Sequence, residues 1–90
     1  MMQGKGNTNQ HKSYILALDL GTTGNRAFVF DSNARIVGQA YKELTQYYPQ
    51  PGWLEHDASE IWSATIEVMQ SAVEKAEISP SQIAAIGLTV

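Results

Sequence analysis

The chain has 90 residues, which is enough for one small domain or for part of a larger one. Its hydrophobic share of 43% and charged share of 17% are typical of a globular protein and not of a disordered one. A net charge of -3 argues against a general nucleic-acid-binding protein. The absence of cysteine excludes disulfides and thiolate metal sites.

The first segment, residues 1–13, is polar and rich in Gly, Asn and Gln, and we expect it to be a disordered leader. His11 in this segment is expected to be a solvated residue and not a metal ligand. No apolar run here could form the core of a signal peptide, and no later run approaches membrane-spanning length. We therefore expect a cytoplasmic location with neither a membrane nor a nucleic acid as partner.

Three strands are predicted to follow the leader. Residues 14–18 form an apolar run that ends at Asp19, which is typical of a strand buried on both faces. A glycine-rich turn at 21–24 leads to a second strand at 26–30, and a third strand begins at Ile36 and ends near Thr45. Gly38 in the third strand indicates a bulge or an edge position. Short turns between the three strands predict an antiparallel meander.

A helix is predicted at residues 58–76, after a proline-rich segment at 46–53 that excludes regular structure. Asp57 is expected to cap the helix, and Glu60 to complete a capping box with it. Apolar residues then recur at three- and four-residue spacing, with Thr65 as the single polar residue within their face. This predicted core stripe consists of Trp62, Ile66, Met69, Val73 and Ala76.

The chain closes with a second short helical start and a fourth strand. Ser79 is expected to cap this start, with Pro80 at its first position. Residues 83–90 form an apolar run that predicts a buried strand, parallel to its neighbour because a helix precedes it. The fold class is therefore α/β, in the order β-β-β-α-β. A helix on one face leaves the other sheet face uncovered, so we expect residues 14–90 to be an incomplete domain.

The turn after the first strand contains residue types that suit a phosphate group. Its glycines let the backbone approach an anion, its threonines offer hydroxyl donors, and Arg26 supplies a cation. A carboxylate there would repel phosphate unless a cation lies between them, which assigns Asp19 to Mg²⁺, through water. The turn alone fits a plain β-hairpin better, since short glycine motifs are unspecific. The candidate phosphate-binding residues are Gly21, Thr22, Thr23, Gly24 and Arg26.

Two stretches together carry a family resemblance. LALDLGTTGNRAFVFD resembles the first phosphate loop of the superfamily of actin, heat-shock chaperones and sugar kinases. YPQPGWLEHDASEIW resembles the stretch before the first long helix of the FGGY carbohydrate kinases. With Arg26 and the closing IAAIGLTV, the chain is most similar to the glycerol kinase branch of that family. The resemblance covers residues 14–90.

The resemblance implies the N-terminal part of domain I of an FGGY kinase, with a ribonuclease-H-like (actin-like ATPase) fold. It implies ATP and Mg²⁺ as cofactors, glycerol as substrate and a homo-oligomeric enzyme. The turn residues match positions that contact the nucleotide phosphates, and Asp19 matches the aspartate near the metal. Trp53 is expected to help wall the polyol pocket. Two positions depart from the family pattern, which often has Ser at Gly24 and Gln at Leu20.

Two alternatives remain open at this point. Another FGGY kinase could act on a pentulose, and a non-catalytic module related to chaperones or filament proteins could bind nucleotide alone. The resemblance places the catalytic base and the acceptor-binding residues beyond Val90. No catalytic residue is therefore assigned in this chain, and the isolated 90 residues are expected to be inactive.

Overall fold

The structure, a computed structural model, describes residues 12–50 and 57–89. Most of the predicted leader, the segment that contains Trp53, and Val90 lie outside the described residues. The observed order of elements confirms the predicted β-β-β-α-β arrangement. The elements are β1 (Tyr14–Leu20), β2 (Gly24–Phe30), β3 (Ile36–Glu43), α1 (Ala58–Ala76), a 3-10 helix (Pro80–Gln82) and β4 (Ile83–Thr89).

The four strands form one sheet in the order β3-β2-β1-β4. β1 pairs antiparallel with β2, and β2 pairs antiparallel with β3, as the predicted meander requires. β4 pairs parallel with β1, which confirms the predicted direction of the last strand. Because parallel strands end at the same edge of a sheet, Asp19 of β1 lies beside Thr89 of β4. This edge also carries the turn between β1 and β2.

Within residues 12–50 and 57–89, α1 covers one face of the sheet and no element covers the other. Leu16 and Leu18 of β1 point to that face and are buried, whereas Ile15, which points to the other side, is 50% exposed. The prediction that β1 is buried on both faces is therefore wrong in this chain. We call the uncovered side the open face; it carries Phe28 and Phe30, whose ring centroids lie 6.1 Å apart. The expected uncovered apolar face is confirmed.

The start of α1 and its predicted N-cap Asp57 are confirmed, but the predicted capping contact of Glu60 is wrong. Asp57 is the N-cap, and its carboxylate accepts a hydrogen bond from the Ser59 amide at 2.8 Å. Glu60 does not complete a capping box. Its Oε2 instead accepts from the amide and the hydroxyl of Thr45, at 3.0 and 2.8 Å. Tertiary contact with the segment after β3 thus replaces the local contact that the spacing predicted.

The buried face of α1 is centred on Thr65, Val68 and Ala72. Trp62, predicted to be a core residue, is 67% exposed. At 100° per residue, Trp62 lies roughly 100° around the helix from the centre of the buried face. The side of α1 that packs against the sheet is therefore displaced from the predicted stripe, toward Val68 and Ala72.

Gly38 lies where α1 approaches β3 most closely. A Cβ atom at this position would meet the Ala72 carbonyl oxygen and would lie 2.8 Å from the Ala76 amide nitrogen. β3 is an edge strand, and its register with β2 shifts between Val29 and Phe30. The predicted edge position and bulge are both present, and close helix packing is the additional reason for glycine.

β4 is less buried than predicted. Ile86 is 60% exposed and Leu88 is 61% exposed, because α1 lies mainly over β2 and β3. The 3-10 helix before β4 has the predicted start, with Ser79 as cap, Pro80 next to it and Gln82 completing a capping box. No helix within the described ranges has the length and apolar character needed to cross a membrane.

Candidate phosphate-binding site

The turn between β1 and β2 is held by contacts to its carbonyl oxygens. The Gly21 amide donates to the Gly24 carbonyl at 3.0 Å, which closes the turn. The Leu44 amide donates to the Thr23 carbonyl at 2.9 Å. The Gln46 side chain donates to the Thr22 carbonyl at 2.8 Å. The segment after β3 therefore supports the turn from one side.

The donors of the same turn remain available. Thr22 and Thr23 are exposed. Over residues 12–50 and 57–89, no hydrogen bond uses the amide or the hydroxyl of either threonine. Several free donors on consecutive residues, with their carbonyls anchored elsewhere, are the arrangement that backbone anion sites use. The turn can therefore offer both N–H and O–H groups to phosphate oxygens.

Four side chains form a row across the open face beside this turn, which we call the edge row. Strand register places Thr89 next to Asp19, Asp19 next to Arg26, and Arg26 next to Tyr41. The Thr89 hydroxyl donates to Asp19 Oδ1 at 3.2 Å. No ion pair joins Asp19 to Arg26 in the part of the chain that the structure describes. The structure thus brings the predicted metal-side carboxylate and the predicted phosphate cation to one edge, without pairing them.

Arg26 contacts Tyr41 instead of Asp19. The Arg26 guanidinium lies 4.8 Å from the centroid of the Tyr41 ring. This is within the distance of about 6 Å at which a cation is attracted to an aromatic face. Both side chains are exposed, so the guanidinium N–H groups remain open to a ligand. Sequence reasoning missed Tyr41, because its contact depends on the register between β2 and β3.

Gly24 lies beneath the Tyr41 ring. A Cβ atom at Gly24 would lie 2.5 Å from the Tyr41 hydroxyl and 2.6 Å from the Lys42 carbonyl oxygen. Real Cβ contacts this short require a shift of the neighbouring strand or of the ring. Packing against β3 therefore favours glycine at position 24 in this chain.

Asn25 connects the turn to α1 and was also missed in the sequence. Its side chain is fully buried and donates to Thr65 Oγ1 at 2.8 Å and to the Ile61 carbonyl at 3.2 Å. Alternation along β2 places Asn25 on the same face as Ala27 and Val29, which face the helix. This alternation was a signal for a buried asparagine, and a buried amide requires a polar partner.

The described residues do not include every predicted site residue. Trp53, the predicted wall of the polyol pocket, lies outside them. Within the described ranges, no group of three or more His, Cys, Asp or Glu side chains could hold a metal by itself. Asp19 is therefore not part of a three-ligand cluster among the described residues.

Comparison with known proteins identifies the family. Residues 14–90 match the model of the FGGY family of carbohydrate kinases, N-terminal domain. Glycerol kinase of Trichormus variabilis is 74% identical over 77 residues, which are 86% of this chain and 15% of that protein. Glycerol kinase of Synechocystis is 65% identical over 83 residues, or 92% of this chain and 17% of that protein. The chain thus spans about a sixth of the length of these relatives.

A solved structure supports the same assignment. Gluconate kinase from Lactobacillus acidophilus superposes with a TM-score of 0.78 at 27% identity, over 87% of this chain and 15% of that protein. The likeness confirms the predicted ribonuclease-H-like (actin-like ATPase) fold. The family match covers residues 14–90 and therefore includes the β1–β2 turn and the edge row. The chain belongs to the FGGY family of carbohydrate kinases.

Proposed function

We propose that this chain is an N-terminal part of an ATP-dependent glycerol kinase and that its β1–β2 turn binds the nucleotide phosphates. The observation that carries the proposal is the 74% identity to a glycerol kinase over 77 residues, or 86% of this chain. The gluconate kinase has the same fold at only 27% identity. Identity of 65–74% to two glycerol kinases over most of this chain supports glycerol as the acceptor.

The geometry supports a phosphate role for the turn. Phosphoryl transfer depends mainly on positioning and on neutralising charge on the phosphoryl oxygens. Thr22 and Thr23 offer amide and hydroxyl donors, and Gly21 and Gly24 keep the backbone accessible. Arg26 adds a positive charge at the same edge of the sheet.

Asp19 fits a role beside Mg²⁺. Its carboxylate is exposed at the edge of the sheet, and the contact that the structure gives it is the Thr89 hydroxyl at Oδ1. Mg²⁺ keeps several waters and needs only one or two carboxylates when phosphates supply further ligands. One exposed carboxylate therefore suits a metal that arrives with the nucleotide. When bound, Mg²⁺ would neutralise charge on the phosphates.

The remaining parts of the proposal rest on the family resemblance. We assign the general base and the acceptor-binding groups to no residue of this chain. We therefore expect the isolated chain not to phosphorylate glycerol. Trp53 is proposed to wall the polyol pocket. A cytoplasmic location and a homo-oligomeric enzyme are proposed on the same ground.

A hybrid enzyme tests this function. Residues 14–90 replace the aligned segment of Trichormus variabilis glycerol kinase, and we call the product the hybrid enzyme. We expect it to form glycerol 3-phosphate from ATP and glycerol with kcat/KM within about threefold of the parent, since 74% identity preserves most contacts. Because the host supplies the acceptor-binding residues, this assay tests whether the β1–β2 turn of this chain supports phosphoryl transfer from ATP in a glycerol kinase.

A matched control tests whether the fold alone is sufficient for activity. The aligned segment of the gluconate kinase, which shares the fold, is placed in the same host. We expect this control to lose most of its activity. Equal activity of the two hybrids, or a folded hybrid enzyme that binds ATP without phosphorylating glycerol, would contradict the proposal. The second of these outcomes would favour a non-catalytic nucleotide-binding module.

A further inference from the structure

Arg26 has two neighbours in the edge row that could hold its guanidinium. Asp19 lies opposite it on β1, and Tyr41 lies opposite it on β3. The guanidinium lies over the Tyr41 ring, at 4.8 Å from the centroid. An arginine that pairs with a carboxylate loses hydrogen-bonding capacity to it, whereas one that stacks on a ring keeps its N–H groups free.

We propose that Tyr41 is a positioning residue of the phosphate site. Its ring holds the Arg26 guanidinium on the β3 side, ready for a nucleotide phosphate, and keeps it away from Asp19. The inference rests on the proposed function, because it assumes that Arg26 binds phosphate.

The packing around Tyr41 gives the ring a defined position. Gly24 lies beneath it, with room for the Tyr41 hydroxyl only because position 24 has no Cβ atom. Gly24 is buried under this contact although it lies on the open face. The ring is thus seated on the backbone of the phosphate turn itself. A stacked planar guanidinium also loses less side-chain entropy when it binds phosphate than a freely rotating one does.

The separation of the Arg26 guanidinium from Asp19 affects the ability of the carboxylate to attract Mg²⁺. If Arg26 paired with Asp19, the carboxylate would be neutralised and less able to attract a cation. The structure keeps them apart although they are direct cross-strand partners, at positions where opposite charges commonly attract. Tyr41 therefore has two effects in the edge row. It keeps Arg26 available for phosphate, and it leaves the Asp19 carboxylate unpaired for Mg²⁺.

Replacing Tyr41 in the hybrid enzyme tests the inference. We expect Tyr41→Leu to raise the KM for ATP about two- to fivefold, the ratio to which a cation–π contact at an exposed site corresponds. The KM for glycerol should stay unchanged. Tyr41→Phe keeps the ring and should keep the parent KM for ATP. A merely structural role would instead change both KM values and kcat together.

A double variant separates this inference from the proposed function. If Tyr41 acts through Arg26, Tyr41→Leu should have no further effect on the KM for ATP in the Arg26→Gln background. The inference is overturned if Tyr41→Leu alone leaves this KM unchanged, or if its effect is equal in both backgrounds. Should Arg26→Gln itself leave the KM for ATP unchanged, the phosphate role of Arg26 fails, and the inference fails with it.

Discussion

Asn25 Nδ2 donates a hydrogen bond to Thr65 Oγ1 at 2.8 Å, and this contact joins the start of β2, next to the β1–β2 turn, to the middle of α1. Thr65 Oγ1 in turn donates to the Ile61 carbonyl at 2.7 Å. Asn25 is fully buried, and Thr65 is 8% exposed. The pair therefore fixes the start of β2, and with it the turn, against the helix.

Removing the Thr65 hydroxyl should destabilise the chain. Thr65→Val keeps the shape but leaves Asn25 Nδ2 with the Ile61 carbonyl alone. We expect a loss of about 1–2 kcal/mol in the free energy of unfolding, measured by urea denaturation. Ser63→Ala removes an exposed hydroxyl from the same helix and should change stability by less than about 0.5 kcal/mol. Equal effects of the two variants would contradict the role of the pair.

A side chain at Gly38 should disrupt the packing of α1 on β3. The new Cβ of Gly38→Ala would lie 2.9 Å from the Ala76 Cβ and would also meet helix backbone. We expect a destabilisation of about 1–3 kcal/mol. Gly87→Ala on β4 is the matched control, since a Cβ atom there would have no heavy atom of another segment within 4 Å. If both variants unfold at the same urea concentration, the close helix approach is refuted.

Replacing Ala34, in the turn between β2 and β3, with glycine should stabilise the chain. Ala34 has a φ of 62°, in the left-handed region that favours glycine. Ala34→Gly relieves this strain at the cost of a more flexible unfolded chain, and we expect a net gain of about 0.5 kcal/mol. The same change at Ala84 on β4, where the backbone is extended, should be destabilising. A loss of stability in both variants would contradict the expectation.

Asp31 should make the stability of the same turn dependent on pH. The backbone amide of Arg35, followed by that of Asn33 and the Arg35 side chain, lowers the pKa of Asp31 below its ordinary value of 3.8. A lowered pKa adds stability that is fully present above the ordinary value and is lost as pH falls through the lowered one. The advantage of the wild type over Asp31→Asn should therefore shrink below about pH 4. A difference that stays constant from pH 7 to strongly acidic conditions would refute this.

Local features of the sequence predicted local structure well. Asp57 and the spacing of apolar residues located α1 at Ala58–Ala76, because capping and helix periodicity depend on near neighbours. The exposure of β4 could not be predicted, since it depends on which strands α1 covers. The contact between Glu60 and Thr45 was also missed, because it joins segments that are distant in sequence.

The candidate site was predictable only in part. The turn residues and Asp19 could be proposed as site residues from their types and order along one segment. Tyr41 and Thr89 join them through strand register, which no single segment contains. Asn25 and Thr65 are different: each is a polar residue on an otherwise apolar face, and pairing two such residues would have predicted their contact.

The KM for ATP of the Arg26→Gln hybrid enzyme tests the phosphate role of the β1–β2 turn most directly. A charged hydrogen bond to phosphate corresponds to roughly a tenfold change or more in affinity, so we predict that this KM rises at least about tenfold. Arg35→Gln is the control, because Arg35 pairs with Asp31 in the turn between β2 and β3 and should leave the KM unchanged. An Arg26→Gln enzyme whose KM for ATP stays within about twofold of the parent would contradict the phosphate role.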